Sequence, residues 1–107
     1  MSISSPKTVL RHLGLRPEKA RGQNFLIHPH QARRIVAALN LDFQDLVVEV
    51  GPGLGALTIF LAQGAGRVVA LEVDPALAAY LQNELFAGDS RVQVICQDVL
   101  RFDFLGL

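Results

Sequence analysis

Residues 46–58, LVVEVGPGLGALT, constrain the fold of this chain more than any other stretch. The β-branched run from Leu46 to Val50 reads as a buried strand. Gly51, Pro52, Gly53, Leu54 and Gly55 then turn the chain, and the period becomes helical from Ala56 onward. Strand, glycine loop and helix in that order are the geometry that holds a nucleotide-like ligand against backbone N–H groups at a helix start. Glycine suits the loop because a Cβ would obstruct the tight turn or keep a ligand away from the main chain. The same residues could form a purely structural turn. The placement of acids argues for a ligand instead: Glu49 sits just before the loop, and two more acids follow later strands.

At 107 residues, half of them apolar, the chain makes one domain at most. No apolar run is long enough to span a membrane and no signal-peptide pattern precedes the first helix, so a cytoplasmic protein without a membrane partner is expected. Cys96 stands alone and has no internal disulfide partner, which fits a reducing compartment. Ten basic and ten acidic residues cancel, but unevenly. Lys7, Arg11, Arg16, Lys19, Arg21, Arg33 and Arg34 precede residue 40, against Glu18 alone. Such a segment can meet phosphates, although charge runs are commonly solvated surface. Residues 1–22 are read as a basic lead and 23–107 as the folded part.

Pro29 suits the first turn of a helix reaching about Leu39, with Ala32, Ile35, Val36 and Leu39 as its apolar stripe. After the glycine loop, Leu54, Leu57, Phe60 and Leu61 are expected to form the buried face of a second helix, ended by Gly64 and Gly66. Residues 67–72 are a second strand closed by Glu72. Asp74 before Pro75 is an N-cap signature for a helix over 75 to about 86. Residues 92–96 make the third strand, with Gln97 and Asp98 at its carboxyl end. Strands alternating with helices through short turns predict an α/β fold with a parallel sheet and right-handed crossovers.

In such a sheet the loops after successive strands share one edge, where ligands bind. The glycine loop, Glu72 and Asp98 all fall there. Asp74 has work as a cap, which leaves Glu72 to accept from vicinal ribose hydroxyls, while Asp98 can accept from a purine amino group. Gly51, Gly53 and Ala56 also satisfy the dinucleotide fingerprint, so NAD is the competing cofactor. Pro52, Gly55 and the polar Asp98 favour S-adenosylmethionine, as does Glu49, which can sit near the ammonium of a methionine-like tail. A phosphate-binding loop is excluded because no Gly-Lys-Ser/Thr follows the glycines.

Gly22-Gln23-Asn24-Phe25-Leu26, residues 49–58, Glu72-Val73-Asp74 and Gln97-Asp98 together resemble the N-terminal part of the ribosomal RNA adenine dimethyltransferases. The resemblance implies a Rossmann-like class I methyltransferase fold, S-adenosylmethionine as cofactor, and N6,N6-dimethylation of adenine in small-subunit (16S) ribosomal RNA. It also implies that Asn24 and Leu26 contact the cofactor, Gly51 lies against its methionine portion, Glu72 holds the ribose and Asp98 the adenine amino group. His28 stands where relatives often carry Asp, for which a weaker helix cap is expected. The Asn/Asp-Pro-Pro-Tyr/Phe type of motif that holds the target base in this family has no counterpart here. The chain is therefore expected to be a donor-binding fragment, stopping before the fourth strand and inactive alone. No catalytic residue and no metal site are assigned. Its first strand should lie at an exposed edge and invite self-association. Two other readings stand beside this one: a non-catalytic RNA-binding or ribosome-assembly protein, and a fragment of an NAD-binding oxidoreductase.

Overall fold

The structure, a computed structural model, describes residues 28–107. The basic lead 1–22, Asn24 and Leu26 lie outside the described residues. Helix α1 spans Pro29–Leu39. His28 caps it by accepting from the His30 N–H at 3.1 Å, and the Gln31 side chain accepts in return from the His28 N–H. The imidazole thus forms the cap that an Asp would form at this position, for which a weaker bond was expected. Asn40, at φ 53°, closes the helix in the left-handed conformation. Ala32 and Val36 are buried, whereas Ile35 and Leu39 are 46% and 53% exposed. Only part of the expected stripe is used, because α1 packs along a narrow line of residues four apart against the next helix.

Strand β1 (Leu46–Val50) leads through the glycine loop into α2 (Ala56–Ala65) and returns as β2 (Arg67–Leu71). A second crossover runs through α3 (Pro75–Tyr80) and a π-helical turn, Leu81–Leu85, to β3 (Val92–Ile95). The three strands are parallel in the order β1-β2-β3, with Val47 opposite Val68 and Val68 opposite Val92. Strand β2 is central, and β1 forms one edge of the described sheet.

Two apolar clusters hold the helices to the sheet. Val36, Leu61, Ala62 and Val68 join α1, α2 and β2, flanked by Val47, Leu57 and Phe60. Leu81, Leu85 and Phe86 form the second, against Ile59 of α2 and Val92 and Val94 of β3. Of the expected Leu54, Leu57, Phe60 and Leu61, only Leu61 is fully buried; Leu57 and Phe60 are partly buried against the core, and Thr58, Ala62 and Ala65 complete the buried face of α2. An almost uniformly apolar helix has no dominant stripe, so its rotation is decided by what packs on it. The helix expected over 75–86 is present but widens after Tyr80 into the π-helical turn. No helix among the described residues is long and apolar enough to cross a membrane.

Candidate functional site

The carboxyl ends of the three strands meet the glycine loop at one edge of the sheet. Gly51, Gly53 and Gly55 adopt φ of 69°, 59° and 84°, values that side chains disfavour, so the loop needs glycine at all three positions. Their surroundings differ. Among the described residues a Cβ on Gly51 would meet nothing within 4 Å, while one on Gly55 would lie 2.6 Å from Leu85 Cδ2 and 3.1 Å from Leu81 Cδ2. Gly55 therefore seats the loop on the π-helical turn, and Gly51 leaves an open approach to the main chain.

The N–H groups of these glycines are not held out for a ligand, contrary to expectation. Gly51 donates to Leu71 O at 2.9 Å, Gly55 to Pro52 O at 2.9 Å, and Gly53 to Glu72 Oε1 at 3.1 Å. Two of these donors lock the loop to the end of β2, and the third closes a turn within the loop. What it offers a ligand is bare backbone surface at Gly51.

Glu72 is fully buried. Its Oε1 accepts from Gly53 and its Oε2 from the Asp74 N–H at 2.9 Å, so the carboxylate is fixed in place by main chain on both sides. Its own backbone continues the sheet, donating to Ile95 O and accepting from the Gln97 N–H. Asp74 caps α3, accepting from Ala76 and Leu77 N–H groups, as its place before Pro75 indicated. Asp98 is exposed one strand further along. Its Oδ1 accepts from the Leu100 N–H at 2.9 Å and caps the short 3-10 turn Val99–Arg101; Oδ2 faces no hydrogen-bond donor among the described residues. Gly51, Glu72 and Asp98 thus lie in series across adjacent strand ends, which stand roughly 5 Å apart in a sheet.

One member of the site escaped the sequence reading. Thr58, fully buried on α2, donates its hydroxyl proton to Glu49 Oε1. Burial pushes the Glu49 carboxyl up to about 7; the Thr58 hydrogen bond pulls against that rise, and the nearby charge of Glu72 adds to it. The signal available in the sequence was a lone hydroxyl on an apolar helix, nine residues after an acid. On the apolar face of a helix that pattern is indistinguishable from an ordinary small core residue.

The described residues contain no group of His, Cys, Asp and Glu suited to a metal ion. They form an edge with acceptors held in place, Glu72 beneath the surface and Asp98 exposed, beside the half-buried acid Glu49.

Comparison with known proteins gives the same architecture a family. The family model described as "Ribosomal RNA adenine dimethylase" matches residues 15–106. The chain is 45% identical over 106 residues to the ribosomal RNA small subunit methyltransferase A of Moorella thermoacetica, covering 96% of this chain and 36% of that protein. It is 56% identical over 69 residues to the protein of the same name from Streptomyces griseus, covering 64% of this chain and 24% of the relative. Among solved structures it is similar to the 23S rRNA methyltransferase ErmE, with a TM-score of 0.68 and 36% identity over 75% of this chain and 32% of that one. The tRNA (m1A58) methyltransferase TrmI of Aquifex aeolicus gives a TM-score of 0.67 and 25% identity over 94% of this chain and 39% of its own. The chain therefore spans about a third of the length of the curated relatives it matches. Its three parallel strands and their helices are a fragment of the class I, Rossmann-like methyltransferase fold. With a matched segment running through the glycine loop and all three strand ends, the chain belongs to the ribosomal RNA adenine dimethylase family.

Proposed function

We propose that this chain is the methyl-donor-binding part of an S-adenosylmethionine-dependent enzyme that dimethylates adenine N6 in ribosomal RNA of the small subunit. The observation that carries this reading is the open main chain at Gly51, tied by hydrogen bonds to the Glu72 end of β2 and followed in series by Asp98. Gly51 takes the methionine portion of the cofactor, Glu72 the ribose hydroxyls, and Asp98 Oδ2 the adenine amino group. Glu49 faces the ammonium end. Asn24 and Leu26 join them on the strength of the family likeness alone. When bound, the sulfonium supplies an already activated methyl group, so the contribution of these residues is to bind and orient. No catalytic residue is assigned within 1–107. The partner is small-subunit ribosomal RNA, and the compartment that follows from it is the cytoplasm. The basic residues Lys7, Arg11, Arg16, Lys19 and Arg21 are assigned to RNA phosphates.

Calorimetric titration of the chain with S-adenosylhomocysteine, with NAD as competitor, tests the reading. Binding that NAD does not displace is expected. Asp98→Asn should weaken it by about 1–2 kcal/mol, since the amide keeps the Leu100 cap through its oxygen while turning a donor toward the adenine. Displacement by NAD would point to an oxidoreductase. RNA binding without any nucleoside binding would point to an assembly protein.

A further inference from the structure

We propose that Thr58 is a positioning residue that holds the Glu49 carboxylate for the ammonium end of the methyl donor, and that binding of this end expels a proton from Glu49. The inference deepens the donor-site reading above and rests on it. Its geometric basis is a pair that reaches from helix to strand: the fully buried Thr58 hydroxyl donates to Glu49 Oε1, two residues before the open Gly51. A hydroxyl with free rotation has several acceptors to choose from in a helix, including the carbonyl a turn back. Here it is directed across to β1, which fixes the carboxylate at the mouth of the loop.

Among the described residues the charge that acts on Glu49 is of its own sign. From β2, its register neighbour is the apolar Ala70, and beyond it lies Glu72. The other packed element, α2, carries no titratable side chain at all. Among the described residues no Lys, Arg or His pairs with Glu49; the ion pair found there joins Arg91 to Asp89 instead. A half-buried carboxyl with a like charge nearby and a single hydroxyl donor retains its proton up to about pH 7. An ammonium arriving within hydrogen-bond reach reverses the balance, because an opposite charge favours the ionised form. Proton and cation then exchange: the carboxyl O–H bond breaks, the proton passes to solvent, and the carboxylate pairs with the ammonium. Thr58 favours the exchange, since its hydrogen bond stabilises the ionised acid.

The test is calorimetric titration of the full chain in buffers of different ionisation enthalpy, from pH 5.5 to 8. The probes are S-adenosylhomocysteine, which has the amino acid end, and 5′-methylthioadenosine, which lacks it. With S-adenosylhomocysteine, release of about half a proton is expected at pH 7, rising toward one at lower pH, with affinity falling toward tenfold per unit below pH 7. With 5′-methylthioadenosine the profile should be flat. Thr58→Val keeps the shape but removes the hydroxyl; it should weaken S-adenosylhomocysteine several-fold at pH 7, move the midpoint upward, and leave 5′-methylthioadenosine nearly unchanged. Thr58→Ser should restore the profile. Binding of both compounds with flat profiles, or a Thr58→Val profile that coincides with that of the unsubstituted chain, overturns this inference while leaving the donor site standing. Binding of neither compound overturns the donor-site reading and this inference with it.

Discussion

Strands β1 and β2 are close in composition, LVVEV against RVVAL, and pair in register along their whole length, yet they live in different surroundings. In β2, Val68, Val69 and Ala70 are completely buried. In β1, Leu46 and Val50 are 38% and 57% exposed and the residues between them are half-buried. Position in the sheet, not sequence, makes the difference: β2 has a strand on each side and β1 on one. The functional contrast follows the same line. The buried strand ends in an acid immobilised by main-chain donors, and the edge strand holds an acid that one side-chain hydroxyl restrains.

The contrast breaks most sharply at the loop leaving β1, which is as constrained as anything in β2. Gly55→Ala should cost about 3 kcal/mol, since its Cβ crowds the Leu85, Leu81 and Phe86 side chains at a backbone angle that alanine resists. Thermal unfolding should show it, and a fall in midpoint no larger than that of Gly51→Ala would contradict the packing role. Next, the register partners Val68 and Val47 can be compared directly. Val68→Ala should cost about 2 kcal/mol and Val47→Ala about half of that in denaturant unfolding, because only the first leaves a closed cavity. Equal losses would mean that β1 is buried as completely as β2 in solution.

A third prediction concerns pH. Folded Glu49 keeps its proton up to about 7, against 4.5 as an ordinary carboxyl, so between these values the fold binds more protons than the unfolded chain. The stability from this group is full below pH 4.5 and is lost as pH rises through 7. Allowing for partial solvent screening, the loss is about 1–2 kcal/mol, and Glu49→Gln should remove that part of the pH slope. The smallest effect on stability is expected from Val50→Lys, within about 0.5 kcal/mol, because the residue is mostly exposed. The same change should lower any concentration dependence of the sedimentation coefficient, since charge on a strand at the edge of the described sheet discourages edge-to-edge pairing.

The strands were legible in the sequence because β-branched runs between turn residues have few alternatives, and β1 falls on its expected bounds of Leu46–Val50. The cap at Asp74 was legible for a local reason, the following proline. Features set by tertiary packing were not. The rotation of α2 is set by the residues that pack on it, and the reach of Thr58 to Glu49 by the shape of the loop between them. The placing of Glu72 was half legible: its strand-end position was plain, but its bond to Gly53 across nineteen residues was hidden.

That long-range bond has a consequence for how the protein comes into being. The glycine loop takes its shape from Glu72 on one side and from Leu81, Leu85 and Phe86 on the other. None of these has emerged when the loop itself is first synthesised, so a nascent chain ending at α2 has the glycines but not their conformation. The chain must wait for β2 and the π-helical turn, and contacts across such separations form late in folding because loop closure comes before their reward. The glycine loop is therefore expected to take its shape after the elements around it. A pulse of hydrogen exchange during refolding should find the Gly53 amide protected only once the Phe86 amide, bonded to Leu81 O, is protected too.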